Sequence, residues 1–315
     1  MPMQLRIGHL STFYHTAMLL MADKGLCSGI DAEIEWQLFG TGPAIVNAFE
    51  KKEIDLAYIG LPPAIIGIER GVPIICIAGG HIEGTVICSK AQYSGYPEIG
   101  KLEDILKQFK GMAIGVPGKG SIHDVILQDS LEHAGLSASV TVLNFAWADL
   151  VLEALIKDKV AAAFGTPALA VSVKHYAGGK ILYPPSKLWP NNPSYGIVVD
   201  KQFLADNPKL SEQFLIAHEN AAALLRNEPS QAAEIIASHV GFIEPGFVLE
   251  TLKVSPKYCA QLTERYIAST MCFVSVLNDL GYVRRRLEAD EIFDRTLISK
   301  VHPETDHYDK GIRLY

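Results

Sequence analysis

Short apolar strand patterns alternate with helix patterns twice along this chain, and that alternation restricts the possible fold more than any other feature. It runs from the start to about Gly80, and it returns from Lys101 to Leu182. Strands that alternate with helices pair in parallel through right-handed crossovers. The sequence therefore predicts two α/β units, followed by a return strand at residues 195–199 and a mostly helical C-terminal part.

The predicted strands lead into helices through loops rich in Gly, Ser, Thr and Pro. The carboxyl ends of parallel strands meet at one edge of a sheet, and open α/β sheets bind their ligands at that edge. Four loops of this kind predict one ligand site. They are His9–Phe13, Phe39–Pro43, Ile59–Pro63 and Gly115–Asp124.

The last of these loops has the composition of an anion site. Its glycines lead into a helix N-terminus, where backbone N–H groups lack partners, and Lys119 and Ser121 add a positive charge and a hydroxyl. The spacing is neither that of a Walker loop nor that of a dinucleotide-binding turn. The alternative is an ordinary turn in which Ser121 only caps the helix.

The length of 315 residues indicates two lobes, since a single core rarely grows that large. We expect residues 1–88 and 195–315 to form the first lobe, including the helical C-terminal tail. Residues 89–194 form the second lobe in this prediction. The chain would then cross between the lobes twice.

Charge and composition exclude several classes of protein. The net charge of −7 argues against nucleic acid as a partner, because binding to phosphates needs a basic face. The first 25 residues do not resemble a signal peptide, since charged residues such as Arg6 and Lys24 interrupt them. Five cysteines without metal-type spacing predict buried thiols at Cys76 and Cys88 and favour a reducing compartment.

Several stretches, in this order and spacing, resemble one family over nearly the whole chain. The family is that of the extracytoplasmic solute-binding proteins of ABC importers, in its nitrate, taurine and alkanesulfonate branch. The stretches that carry the resemblance are Met21–Leu26, Gly40–Ala44, Ile54–Gly60, Phe109–Gly115 and Leu131–Leu136.

The resemblance implies a fold and a function. The fold would be α/β and bilobed, of the type II periplasmic-binding-protein class, with two mixed, mostly parallel sheets flanked by helices and a ligand cleft between the lobes. The function would be to bind a small anionic organic solute, similar to a sulfonate or carboxylate, and deliver it to the permease of an ABC importer. We expect a monomer outside the cytoplasm, with no cofactor and no enzymatic activity.

The resemblance also implies which residues contact the ligand. Relatives commonly carry an aromatic and an acidic residue before a proline where this chain has Gly165 and Thr166. The missing acid argues against an amino-bearing ligand such as taurine, and Lys119 favours an anion. The expected ligand-binding residues are Ser11, Thr12, Phe13, Thr41, Gly42, Gly60, Leu61, Lys119, Gly120, Ser121, Trp147 and Thr166.

Other residues have a structural reading beside a functional one. Trp147 could belong to the core or form a wall against the ligand. His81 and His123 lack a placed carboxylate or thiol partner, so we interpret them as structural or as polar cleft contacts. The segment His302–His307 lacks the ordered spacing of a metal site and is interpreted as a solvated terminus. No metal and no catalytic residue are expected.

A second function class stays open at this stage. Relatives of the bilobed scaffold include enzymes of thiamine-pyrimidine and menaquinone synthesis. A cytoplasmic enzyme or sensor that reuses the fold would agree with the cysteines, with the two histidines and with the first 25 residues. Similarity of fold alone does not decide between the two classes.

Overall fold

The computed structural model of the protein describes residues 3–304 and 307–308. Its strands are short and mostly buried. They are β1 (Gln4–Leu10), β2 (Glu33–Phe39), β3 (Leu56–Ile59), β4 (Ile74–Ile82), β5 (Val86–Lys90), β6 (Ala113–Pro117), β7 (Thr141–Phe145), β8 (Ala162–Gly165), β9 (Gly179–Tyr183) and β10 (Pro193–Asp200).

Helices follow most of the strands and make up most of the C-terminal part. Among the helices of the described residues, none is both long and apolar enough to cross a membrane. They are α1 (Thr16–Ala22), α2 (Gly42–Glu50), α3 (Leu61–Glu69), α4 (Leu102–Lys107), α5 (Ile122–His133), α6 (Ala148–Ile156), α7 (Pro167–Ala177), α8 (Pro185–Leu188), α9 (Lys201–Asp206), α10 (Pro208–Asn227), α11 (Pro229–Val240), α12 (Pro245–Val254), α13 (Glu264–Asp279), α14 (Ala289–Ile292) and α15 (Thr296–Val301).

The first sheet has the strand order β2-β1-β3-β10-β4. Strand β1 pairs in parallel with β2 and β3, whereas β10 is antiparallel to both β3 and β4. Strand β3 is buried along its whole length, as expected for a central strand with helices on both faces, and the edge strand β2 is partly exposed. Four of the five strands therefore run in the same direction.

The second sheet repeats this plan with the order β7-β6-β8-β5-β9. Strand β6 pairs in parallel with β7 and β8, and β5 is antiparallel to β8 and β9. Two mixed, mostly parallel sheets flanked by helices confirm the fold class predicted from the sequence. We call the first sheet with its helices the first lobe and the second sheet with its helices the second lobe.

The sheets place one lobe boundary slightly earlier than the sequence does. Residues 86–88 were assigned to the first lobe, but they belong to β5, whose backbone pairs with β8 and β9 of the second sheet. The first crossing is therefore the short segment 83–85. The second crossing precedes β10, which returns to the first sheet between β3 and β4.

The C-terminal helices contact both lobes, although the sequence assigned them to the first. Helix α10 packs on α1, whereas α12 packs on α7 and α13 on α5, and α7 and α5 belong to the second lobe. The Tyr282 hydroxyl donates a hydrogen bond of 2.6 Å to Asp124 Oδ2 on α5. Glu250 on α12 pairs with Lys174 and His175 on α7. The C-terminal part thus bridges the lobes.

The end of the described chain is packed and not solvated, which corrects the interpretation of His302–His307. His302 is 4% exposed, and Gln261 Nε2 donates a hydrogen bond of 2.7 Å to its carbonyl oxygen. The hydroxyl of Tyr308 donates to the carbonyl of Cys259 at 2.7 Å. Residues 305–306 of this segment lie outside the described residues. The hydrogen-bond partners in this region lie 40 to 50 positions apart in the sequence, so a local sequence pattern does not reveal them.

We predict that Gly80→Ala destabilises the fold. A Cβ atom at Gly80 would lie 2.0 Å from Cε2 of the buried Tyr195 ring, so one of the two strands must shift. Overpacking of this kind costs about 1 to 3 kcal/mol of unfolding free energy, measured by denaturant unfolding. The matched control is Gly246→Ala, where a Cβ meets nothing within 4 Å. The control should unfold at the same or a slightly higher denaturant concentration, and equal behaviour of both variants would contradict the packing argument.

Candidate functional site

A small polar cavity lies between the lobes, at the ends of the strands of both sheets. Its volume is about 60 Å³, and we call it the polar chamber. The loops after β1, β2 and β3 of the first lobe and after β6 and β8 of the second lobe contribute to its wall. The lining residues are Leu10, Ser11, Thr12, Tyr14, His15, Gly40, Thr41, Gly42, Gly60, Pro63, Pro117, Ser121, Ile122, His123, Ala148, Thr166 and Ser194.

Three side-chain hydroxyls in this wall are helix N-caps. Thr41, Ser121 and Thr166 accept hydrogen bonds from backbone N–H groups in the first turns of α2, α5 and α7, at 3.4, 3.3 and 3.2 Å. The cap uses a lone pair of each oxygen and leaves the O–H group available as a donor. The chamber therefore brings together three hydroxyl donors and the N-terminal ends of three helices.

The described lining of the polar chamber contains no Asp, Glu, Lys or Arg side chain. Its electrostatic character comes instead from the helices. Each N-terminal end carries a partial positive charge and unpaired N–H groups, which favours an anion. The arrangement is suited to a group of low negative charge that accepts hydrogen bonds from several directions.

His15 lines the chamber and contains a buried nitrogen without a partner in the described part of the chain. Its Nδ1 lies 2.7 Å from Thr12 Oγ1, whereas its Nε2 is buried and has no partner among the described residues. Burial, with a smaller contribution from His81 and other nearby histidines, holds the pKa of His15 well below its usual value. The ring is therefore neutral near pH 7. When the Thr12 hydroxyl donates to Nδ1, the proton lies on Nε2 and can be donated to a ligand.

His123 lines the opposite side of the chamber, on α5. Its Nδ1 lies 3.0 Å from Thr85 Oγ1. Burial lowers the pKa of His123 to about 4, so this ring is also neutral at physiological pH. Neither His15 nor His123 has a carboxylate or thiol partner among its hydrogen bonds. The recorded side-chain partners of the two rings are hydroxyls.

A larger and mostly apolar cavity adjoins the polar chamber. Its volume is about 450 Å³, and we call it the apolar chamber. Ser11, Thr12, Tyr14, Ala148 and Thr166 line both chambers, so the two are continuous. The remaining wall consists of His9, Phe13, Met18, Leu38, Asp149, Leu152, Ala168, Leu169, Ser172, Tyr176, Val240, Phe242, Ile243 and Phe247. A ligand with a polar head and an apolar body would match this pair of chambers.

The structure brings eight of the predicted ligand-binding residues to these chambers. Seven of them line the polar chamber, and Phe13 lines only the apolar one. The seven are Ser11, Thr12, Thr41, Gly42, Gly60, Ser121 and Thr166.

A carboxylate of the protein itself occupies the anion site that the sequence predicts around Gly120 and Ser121. The buried carboxylate of Asp124 accepts hydrogen bonds from Gly120 N at 2.8 Å, Asn144 Nδ2 at 2.9 Å and the Tyr282 hydroxyl at 2.6 Å. Gly120 therefore has no N–H group to offer a ligand. The Lys119 side chain is exposed and is not part of either chamber wall. Gly120 and Lys119 therefore lie outside the walls of both chambers.

Two further predicted residues also lie outside the chamber walls. Leu61 is the first residue of α3, and its side chain is fully buried in the main apolar core. Trp147 is 39% exposed, so it does not belong to the core, and it lines neither chamber. A Cβ atom at Gly40 would lie 3.2 Å from the Trp147 ring, which shows that the ring packs across the lobes at the cleft.

The sequence analysis missed several lining residues, of which His15 and Ser194 are the most informative. His15 lies two positions after Phe13 of the predicted Ser11-Thr12-Phe13 loop, and its place directly before the first helix could have indicated it. Ser194 lies on β10, far along the chain, and reaches the site only because β10 is inserted into the first sheet. No local pattern marks such a position.

The fold is that of a periplasmic binding protein. The alkanesulfonate-binding protein SsuA from Xanthomonas axonopodis pv. citri, bound to MOPS, superposes with a TM-score of 0.77 and 19% identity over 93% of this chain and 99% of that one. The periplasmic nitrate-binding protein NrtA from Synechocystis PCC 6803 also has a TM-score of 0.77, with 12% identity over 99% of this chain and 91% of that one.

Sequence comparison defines the family. A profile of the NMT1-like family matches residues 1–240, and the chain belongs to that family. A protein of Brucella abortus (strain 2308), provisionally named a binding protein, is 24% identical over 237 residues, which cover 74% of this chain and 70% of that protein.

We predict that acid weakens the fold through its buried histidines. Burial lowers the pKa values of His81, His123 and His218 to about 4, whereas an unfolded histidine titrates near about 6.5. Between these values the unfolded chain takes up protons that the folded chain does not. Each of the three should remove about 2 kcal/mol of unfolding free energy by about pH 5, with no such loss above about pH 7. Denaturant unfolding at several pH values measures this slope.

Two variants separate this effect from the titration of carboxylates. His123→Asn should reduce the loss between pH 7 and pH 5, because one neutral buried ring is removed. His133→Gln is the control, since His133 is exposed and a hydrogen bond to the backbone of Asp129 raises its pKa. Its removal should leave the slope or steepen it slightly. An unchanged slope in His123→Asn would contradict the prediction.

Proposed function

We propose that the protein binds a small organic anion without converting it, with the acidic head in the polar chamber and the apolar body in the apolar chamber. The observation that carries this proposal is the convergence of Thr41, Ser121 and Thr166, three helix caps with available O–H groups, on a cavity lined by no charged side chain. Sulfonates and carboxylates have the required single charge and several acceptor oxygens.

The sizes of the chambers support this division of the ligand. A cavity holds a water molecule for each 10 to 15 Å³ or so, so the 60 Å³ polar chamber has room for about four waters or one acidic head group. The 450 Å³ apolar chamber lies within the range of small-molecule pockets. MOPS, the compound bound to the Xanthomonas protein, is a sulfonate attached to a ring and has this same two-part form.

The absence of a counter-cation in the wall limits the charge of the ligand. Hydroxyls, His15 Nε2 and helix N-termini stabilise one delocalised negative charge without a desolvated lysine or arginine. An amino group would find no carboxylate among the described residues that line the polar chamber. The polar chamber therefore favours a head group with one negative charge, whereas Asp149 in the wall of the apolar chamber is a carboxylate that an amino group on the body could reach.

The biological role that fits this site is capture and transport. The structural neighbours include sulfonate- and nitrate-binding periplasmic proteins. We infer that the chain acts outside the cytoplasm as a monomer and passes its solute to the permease of an ABC importer. A second candidate is an enzyme or sensor with the same fold, and the observation that favours it is the pair of neutral histidines, His15 and His123, in one chamber.

Calorimetry tests the proposal and separates the two candidates. The panel contains alkanesulfonates, carboxylates, phosphonates, inorganic nitrate and sulfate, and the uncharged sulfonamide that matches one sulfonate. We expect one-to-one binding of an organic monoanion, at least about tenfold tighter than the matched sulfonamide. Each bound compound is then recovered and analysed by mass spectrometry. Conversion of a bound compound would support the enzyme, and no binding by any anion would overturn the proposal.

We predict that Ser121→Ala weakens ligand binding by about tenfold or more. A hydrogen bond to a charged group contributes about 1.5 to 3 kcal/mol, and the variant removes its donor. It also removes the cap of α5, which costs about 1 kcal/mol of stability. Thr263→Ala is the matched control, because Thr263 caps α13 by accepting from Tyr266 N at 3.1 Å and lies outside both chambers. Equal affinities of the two variants would remove Ser121 from the site.

We also predict that affinity rises with the length of the apolar body. Each methylene buried in the apolar chamber contributes about 0.8 kcal/mol, or a factor of about 3 to 4 in affinity. Calorimetry with a series of straight-chain sulfonates measures this slope. Phe13→Ala, which removes a wall of the apolar chamber alone, should reduce the slope and leave the binding of the shortest sulfonate nearly unchanged. A flat series in the unaltered protein would contradict the two-chamber arrangement.

A further inference from the structure

A second group of chemically reactive side chains lies outside both chambers, where the last described residues of the chain pack against the first lobe. Cys259 belongs to the loop that runs beside β4, and its N–H donates to the carbonyl of Gly80 at 3.1 Å. His302 directly follows α15, and His307 lies five positions further along. These three side chains, which we call the tail cluster, point at one another.

The distances within the tail cluster are those of a metal site. Cys259 Sγ lies 3.5 Å from His302 Nε2, and His302 Nε2 lies 3.2 Å from His307 Nδ1. All three atoms lie within 4.8 Å of one another. Zinc bonds of about 2.3 Å to sulfur and about 2.0 to 2.1 Å to nitrogen, at tetrahedral angles, separate sulfur from nitrogen by about 3.6 Å and two nitrogens by about 3.4 Å.

A carboxylate lies beside the two histidines. Glu219 Oε1 lies 3.7 Å from His302 Nε2 and 3.8 Å from His307 Nδ1. The same oxygen is 2.7 Å from Arg226, and the backbone N–H of Ala260 donates to the other oxygen at 3.0 Å. Sulfur and two nitrogens therefore face one point, and Glu219 is a neighbour of the cluster that is already paired with Arg226.

A second carboxylate, that of Glu304, contacts the ring nitrogen of His307 that points away from the cluster. His307 Nε2 lies 3.0 Å from Glu304 Oε2, while Nδ1 of the same ring faces the cluster. This pairing is the usual arrangement of metal-binding histidines, in which the far nitrogen donates to a carboxylate and the near one binds the ion.

The side chain of His302 has no other role among the described residues. Its Nε2 has only cluster members and Glu219 as polar partners, and its buried Nδ1 has none. The ring is 4% exposed. A buried imidazole with one nitrogen aimed at a thiol and a second imidazole is explained by an ion that all three ligate.

We propose that Cys259, His302 and His307 bind a zinc ion, with a water molecule in the fourth position, and that the ion fastens the C-terminal segment to the first lobe. One sulfur and two imidazoles favour zinc over calcium or magnesium, which take oxygen ligands. The thiol loses its proton to solvent when the ion binds. The sequence analysis expected no metal because the spacing of 302 and 307 is uninformative without Cys259.

The experiment uses the full chain after treatment with a chelator and dialysis. We expect one equivalent of Zn²⁺ to bind, and Co²⁺, used as a spectroscopic probe, to show the intense charge-transfer band of a thiolate–cobalt bond. Zinc should also raise the melting temperature, and above the dissociation constant the rise should follow the logarithm of the free zinc concentration. A cobalt complex without a thiolate band in the unaltered protein overturns the proposal, and this readout needs no variant.

Variants assign the ligands. His307→Ala and Cys259→Ser should weaken zinc binding at least about 100-fold, and Cys259→Ser should remove the thiolate band. Glu304→Gln, which changes a positioning residue, should weaken binding by about 10- to 100-fold and keep the band. Cys272→Ser is the control, since Cys272 is exposed and outside the cluster. His307 is near the surface, so its variant remains informative if Cys259→Ser fails to fold.

The outcomes separate this proposal from the proposed function. Zinc binding that is unchanged in His307→Ala, or lost equally in Cys272→Ser, overturns the metal site. The tail cluster shares no residue with either chamber. Binding of sulfonates or carboxylates should therefore be measurable in the metal-free protein, and failure of one proposal does not entail failure of the other.

Discussion

The rest of the structure depends on the way each sheet receives one antiparallel strand from the chain as it crosses between the lobes. Strand β5 enters the second sheet between β8 and β9, and β10 enters the first between β3 and β4. Backbone hydrogen bonds on both sides hold these two strands. The crossings are therefore fixed in the middle of the sheets, and the ends of the parallel strands of both sheets meet at one cleft. The position of every helix cap at the site depends on this arrangement of the strands.

The polar chamber that results offers hydroxyls and helix N-termini rather than charged side chains. The one carboxylate near the chamber, Asp124, is fully engaged with Gly120, Asn144 and Tyr282. It accepts from the backbone of the turn before α5, and Ser121, the cap of that helix, lines the polar chamber. A protein built this way tolerates a desolvated anion because the donors are already oriented and need no reorganisation.

Local chemistry made much of this predictable. Strand and helix alternation, the caps at Thr41, Ser121 and Thr166, and the edge at which they meet follow from short-range preferences that a sequence displays. Lys119, Gly120, Leu61 and Trp147 could not be placed, because their roles depend on distant partners. Tyr282 lies 158 positions from Asp124, and the ring of Trp147 packs against the opposite lobe. The contact between Cys259 and His302 could not be predicted for the same reason, since the two residues lie 43 positions apart.

The double use of the cap positions has a consequence for how such a protein can change over evolutionary time. Serine, threonine, aspartate and asparagine are all favourable N-cap residues. Exchanges among them at the start of a helix therefore leave the stability of the fold nearly unaltered. At residues 41, 121 and 166 the same exchanges would alter the chemistry presented to the solute. An aspartate at 166 would attract a cation, and an asparagine would add an amide donor. Single substitutions at these positions would therefore change which solute is preferred while changing the stability of the fold very little.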